Sequence, residues 1–340
     1  MQKIMNGLLS AAALAVISFA VPAQADVKEI TIIHSGGKYG ESMEACCVKP
    51  FTEKTGIKVI SETPGGFGKL RSMVESGNVH AVLYDLAGTG VMQARKLNLI
   101  EPLDWDAINP EGITPDAKQP DGFGTQYYST IMAWRSDAKA PQNWRDFWNV
   151  KDFPGKRALP DYPYHVLAVA LIADGVPADK LYPLDLDRAF ASLNKIKDHV
   201  AVWWQSGAQS TQLLKDNEVQ YAAVWNARAV GEEGIDYTYN EGFLNLTFFV
   251  VPRGANPEQK AAAMKLLHEM SVAKNQALAA EMAPHTGTNP AIDNFLPKDR
   301  LHEFPTTTEN RSKQFLHDLD WWYEHAEEVE ARWQEFKLQQ

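Results

Sequence analysis

The sequence predicts an α/β protein made of two Rossmann-like lobes joined by a hinge. Three observations carry that expectation. Short β-branched runs alternate with amphipathic stretches, the pattern of a mostly parallel sheet with right-handed crossovers. Two long extended runs, 127–134 and 246–251, have no helices of their own and bracket the second block of such units. A chain of 340 residues, less a leader, also suits two domains of ordinary size.

The leader comes first. Lys3 precedes an apolar stretch at 8–21, and Ala23-Gln24-Ala25 follows as a small-x-small cleavage site. This order predicts a secretory signal over 1–25, a mature chain beginning at Asp26 and delivery to the periplasm. The apolar stretch is short for a membrane span, and Asp26 stands where a lipoprotein would need Cys. The two lobes are then 26–133 plus about 250–305, and 134–249 plus about 306–340.

Glu29-Ile-Thr-Ile-Ile33 reads as a buried strand entering the Gly-rich turn 34–40, followed by a helix over 41–55 that stops at Gly56. A strand at 57–60, a helix at 69–75, a strand at 79–84 and a turn at 85–90 into another helix continue the pattern. Between the two extended runs the alternation resumes, with strands at 157–160, 200–204 and 221–225 and helices after 165, at 187–198 and at 211–215. The tail over 312–337 carries Phe315, Leu319, Trp322, Val329, Trp333 and Phe336 on a helical period, an amphipathic region packed on a lobe. Neither an internal repeat nor a low-complexity segment interrupts the chain.

Composition narrows the function. With 43 acidic against 33 basic residues the net charge is −10, which argues against nucleic acid or an anionic membrane surface as partner. Cys46 and Cys47 are adjacent, so their Cα atoms are closer than a relaxed disulfide allows; two free thiols are expected, at least one facing the core. Glu41 and Glu44 beside them supply no recognisable metal spacing, and no metal or cofactor is expected. His268-Glu269 lacks the second His of a zinc motif, and Gly66-Phe67-Gly68 lacks the third glycine of a dinucleotide fingerprint. With no nucleophile elbow or phosphate loop either, the reading is a binding protein, not an enzyme; an enzyme on the same two-lobe scaffold is the rival class.

Several short stretches then carry a resemblance: 49–59, Gly155-Lys156-Arg157, Trp204-Gln-Ser-Gly-Ala-Gln209, Ala223-Val-Trp-Asn-Ala-Arg228, Val250-Val-Pro-Arg-Gly254 and Trp321-Trp322. In this order the chain resembles bacterial extracellular solute-binding proteins of the spermidine/putrescine-binding type. The resemblance implies the type II periplasmic-binding-protein fold, a small-molecule ligand held between the lobes, a monomer, and the membrane permease of an ABC importer as partner. It places the second lobe's stacking aromatic on Trp225, with a core Trp as the alternative. It places the amine-gripping acids of polyamine binders on Lys38, Tyr164, Arg228 and Thr247, none of them acidic. An ammonium buried there would lack a counter-charge, so the ligand is expected to bear a carboxylate, phosphonate or similar anion instead.

Arg228 is the candidate clamp for that anion, or else a partner of Glu232 or Glu233. Lys38, at a helix start, either assists it or is a plain surface lysine. Tyr39, Tyr164 and Trp204 are aromatic candidates for the cleft, with the alternation of Trp203 and Trp204 sending at least one into the core. Thr89 and Ser129, with Ser35, offer hydroxyls at strand ends and hinge. The adjacent Tyr127-Tyr128 resembles a ferric-ion pair but belongs to the wrong lobe context. A polyamine held by acids such as Asp85 or Asp161 is the alternative ligand.

Overall fold

Strand β1 (Glu29–Ile33) buries Ile30, Ile32 and Ile33 completely, and it does so on both faces of a sheet, which is why it reads as a nearly continuous apolar run. The computed structural model describes residues 27–339; the predicted leader lies outside them. β1 pairs in parallel with β2 (Lys58–Glu62) and β3 (Leu83–Ala87). The strand expected at 79–84 therefore lies further on. Its position is fixed by a distant partner: Tyr84 to Ala87 pair antiparallel with Thr247 to Val250, a ladder that extends the strand beyond its parallel pairing with β1.

The strands continue with β4 (Gly122–Arg135), β5 (Arg157–Pro160), β6 (Val200–Trp204), β7 (Tyr221–Trp225) and β8 (Ile235–Pro252). Their order across the sheet is β2-β1-β3-β8-β4-β7-β5-β6. The two extended runs of the sequence are thus the cores of longer strands of 14 and 18 residues that lie side by side between the lobes. β1, β2 and β3 pack with helix Pro257–Ser271 in one lobe. β5, β6 and β7 pack in the other, whose core also takes Trp321, Trp322, Trp333 and Phe336 from helices Leu319–Glu324 and Ala326–Lys337. Because 257–271 belongs to one core and 315–336 to the other, the chain crosses between lobes a third time after β4 and β8.

One expectation is overturned outright. Cys46 and Cys47 are joined as a disulfide, with both residues 3% exposed and packed beside Met43 and Phe51. They lie in a π-helical turn, Glu44–Val48, between helices Gly37–Met43 and Lys49–Thr55. The wider turn rotates less per residue than an α-helix and so brings consecutive side chains nearer, a geometry that Cα spacing alone does not reveal.

Candidate functional site

A cleft of about 690 Å³ opens between the lobes at the carboxyl ends of the parallel strands, where α/β sheets characteristically bind ligands. From the first lobe it is lined by Ser35 and Gly36 after β1, by Gly37 to Tyr39 at the start of helix Gly37–Met43, by Asp85 to Ala87 at the end of β3, and by Thr89, Gly90 and Gln93 of helix Gly88–Lys96. β4 and β8 contribute Gln126, Tyr128 and Thr247. The second lobe contributes Trp225, the last residue of β7, and Ala227 and Arg228 from the turn Asn226–Arg228. The loop Ala283, Pro284, His285 closes one side.

The turn bearing Arg228 is held from three directions. Asn226, fully buried, accepts the Ser129 N–H through Oδ1 at 2.8 Å and donates through Nδ2 to Pro284 O at 2.5 Å. Thr211 Oγ1 donates to Arg228 O at 2.9 Å. Beneath the side chains lies Gly207, the first residue of helix Gly207–Lys215, which Ser206 caps by accepting the Gln209 N–H. A β-carbon on Gly207 would come within 2.7 Å of Trp225 Cε3 and 3.0 Å of Arg228 Nε, so indole and guanidinium both rest on bare backbone.

That support contrasts with what the guanidinium lacks. No hydrogen bond or ion pair joins the Arg228 side chain to any described residue, and Glu232, its candidate partner, pairs with Lys215 at 2.7 Å instead. An arginine mounted over a cleft with its five donors unclaimed is built to meet an outside acceptor. Nearby, Trp225 Nε1 and His285 Nδ1 are buried without a partner among the described residues. Burial first, and then the Arg228 charge, push His285 down to about 4, so it is neutral near pH 7. Trp225 is met edge-on by Tyr128 at 6.3 Å and by Trp204 at 5.2 Å, giving the cleft an aromatic wall.

Of the residues expected from sequence, Lys38, Tyr39, Thr89, Trp225, Arg228 and Thr247 line this cleft. Three do not. Trp204 is fully buried behind Trp225, its Nε1 donating to Ala223 O at 2.9 Å. Tyr164 packs against His317 and edge-on to Trp322 in the second lobe's core, away from the cleft. Ser129 is fully buried and donates its hydroxyl to Gln314. Asp161 is engaged by Lys337 at 2.8 Å and by Trp333 and Gln205. Tyr127 turns away from Tyr128, donating to Asp116 at 2.7 Å. Among the described residues no cluster of three or more His, Cys, Asp or Glu could hold a metal ion, and no helix is long and apolar enough to cross a membrane.

The sequence reading did not place His285, Gln126 or Phe67 in the cleft. His285 sits in a loop without periodicity that reaches the cleft only because the chain crosses there, and nothing local in the sequence signals it.

Residues 47–306 match the bacterial extracellular solute-binding protein family. The chain is similar to the γ-aminobutyric acid-binding protein of Pseudomonas aeruginosa, with 32% identity covering 93% of each chain. It is also similar to the solved ABC transporter substrate-binding protein of Bradyrhizobium japonicum, at 35% identity and a TM-score of 0.85 over 91% of this chain and 99% of that one. The solved Atu4243-GABA receptor is similar at 31% identity and a TM-score of 0.82, over 91% and 97%.

Proposed function

The chain belongs to the bacterial extracellular solute-binding proteins, the ligand-carrying components of ABC importers, and from that premise we propose that its cleft takes a small carboxylate ligand of the γ-aminobutyrate class. The observation that carries this is the unpaired Arg228 guanidinium beside Trp225. A carboxylate there accepts two parallel N–H groups, while the indole and Tyr128 cover the ligand's methylenes. Two similar proteins are named for γ-aminobutyric acid, which supports the same class. A polyamine is the weaker reading, since it would set an ammonium against Arg228 and Lys38. Periplasmic residence with a mature start at Asp26, capture as a monomer, and hand-over to the permease complete the proposal.

Calorimetric titration tests it. Arg228→Ala should weaken γ-aminobutyrate binding by about 2–5 kcal/mol, the range for truncating one partner of a buried charge pair. Arg228→Lys should recover only part, because an ammonium lacks the planar fork. Tight spermidine or putrescine binding untouched by Arg228→Ala would overturn the carboxylate reading.

A further inference from the structure

We propose that Asp85 is the counter-ion for the ligand's amino end, so that the bound solute is a zwitterion bridging unlike charges on opposite lobes. The inference rests on the carboxylate reading above and adds the chemistry of the other end. Among the described residues lining the cleft Asp85 is the one acid, and it belongs to β3 of the first lobe, whereas Arg228 follows β7 of the second.

Its two oxygens are used differently. Oδ2 accepts both the Ser35 N–H and the Ser35 hydroxyl at 2.9 Å, which fixes the carboxylate's orientation. Oδ1 takes no hydrogen bond and no ion pair from any described residue. Gly65 makes room for it: a β-carbon there would lie 3.0 Å from Oδ1. Asp85 is 5% exposed, and burial pushes its pKa up to about 6 against the partial relief from Ser35. A half-satisfied, desolvated carboxylate gains most from a cation, and the ammonium of an amino acid supplies three donors. With anion bound at one lobe and cation at the other, such a ligand favours the closed arrangement over the open one, which is the differential affinity that closure requires.

The test is a titration panel on the full chain: unbranched α,ω-amino acids from glycine to 6-aminohexanoate, butyrate as the anion alone, and butylamine as the cation alone. The expected result is a sharp optimum in chain length, with butyrate at least about 30-fold weaker than γ-aminobutyrate, the loss typical of a missing charge partner. Asp85→Asn should weaken γ-aminobutyrate by a similar factor while leaving butyrate within about 3-fold. Because Asp85 also holds the Ser35 turn, the wild-type comparison of γ-aminobutyrate with butyrate stands even where the variant fails to fold. Equal binding of butyrate and γ-aminobutyrate, with Arg228→Ala still damaging, overturns the role of Asp85 and leaves the carboxylate reading intact. Binding indifferent to Arg228→Ala, or no binding by any member of the panel, overturns both.

Discussion

Gly207→Ala probes the floor of the cleft without replacing either of the side chains, Trp225 and Arg228, that meet the ligand. The residue is the first of a helix, where alanine is favoured over glycine by at most the interior value of about 1 kcal/mol, so backbone propensity alone predicts a protein no less stable. Geometry predicts the opposite for binding. The new methyl carbon would lie 2.7 Å from Trp225 Cε3, where ordinary contacts begin at 3.4 Å. The indole must therefore move by several tenths of an ångström, and Trp204, fully buried and 5.2 Å away edge-on, blocks its retreat. It must tilt into the cleft and carry the Arg228 stem with it. Overpacking of this kind costs about 1–3 kcal/mol, which as lost affinity is roughly 5- to 150-fold. Titration with γ-aminobutyrate beside thermal unfolding separates the two effects. Wild-type affinity together with a raised Tm would refute the claim that bare backbone at 207 positions the clamp.

Acid should destabilise the fold through its buried histidines. Burial holds His165 at about 3, burial with the Arg228 charge holds His285 at about 4, and burial with His165 lowers His317 well below its ordinary value. The unfolded chain binds these protons near pH 6.5, so their stabilisation is complete above that pH and is lost as pH falls toward the folded values, at about 1.4 kcal/mol per histidine per pH unit. Asp85 acts with the opposite sign between roughly pH 4 and 6, since its folded value lies above its unfolded one, and offsets about one histidine. Tm should therefore drop from pH 7 to pH 5, less steeply in His165→Gln; a flat profile would contradict the assignment. Ligand should also close the lobes, giving a smaller radius of gyration in solution scattering with saturating γ-aminobutyrate and no change for Arg228→Ala at the same concentration.

What the sequence revealed followed local rules. Trp225 and Arg228 sit at the end of a short apolar strand, and strand ends in α/β sheets face the cleft, so their placement could be read directly. Alternation along β6 predicts that one of Trp203 and Trp204 is core, but not that Trp204 would back the cleft wall from behind. Tyr164 looks like a pocket aromatic until helix Leu319–Glu324, more than 150 residues away, brings Trp322 against it. The start of β3 depends on pairing with β8, and the Cys46–Cys47 bridge on a π-turn; both are long-range or backbone features that composition and period do not encode. Asp85 appeared only as an alternative because its isolation as the cleft's acid emerges once Asp161 is seen tied to Lys337.

Whether Arg228 receives a ligand carboxylate against Trp225 is decided by a crystal structure of the γ-aminobutyrate complex. Both carboxylate oxygens should lie within about 3 Å of the Arg228 guanidinium nitrogens, with the methylenes over the indole face and the ammonium toward Asp85 Oδ1. A ligand seated with its carboxylate elsewhere in the cleft, and Arg228 turned to solvent, would contradict it.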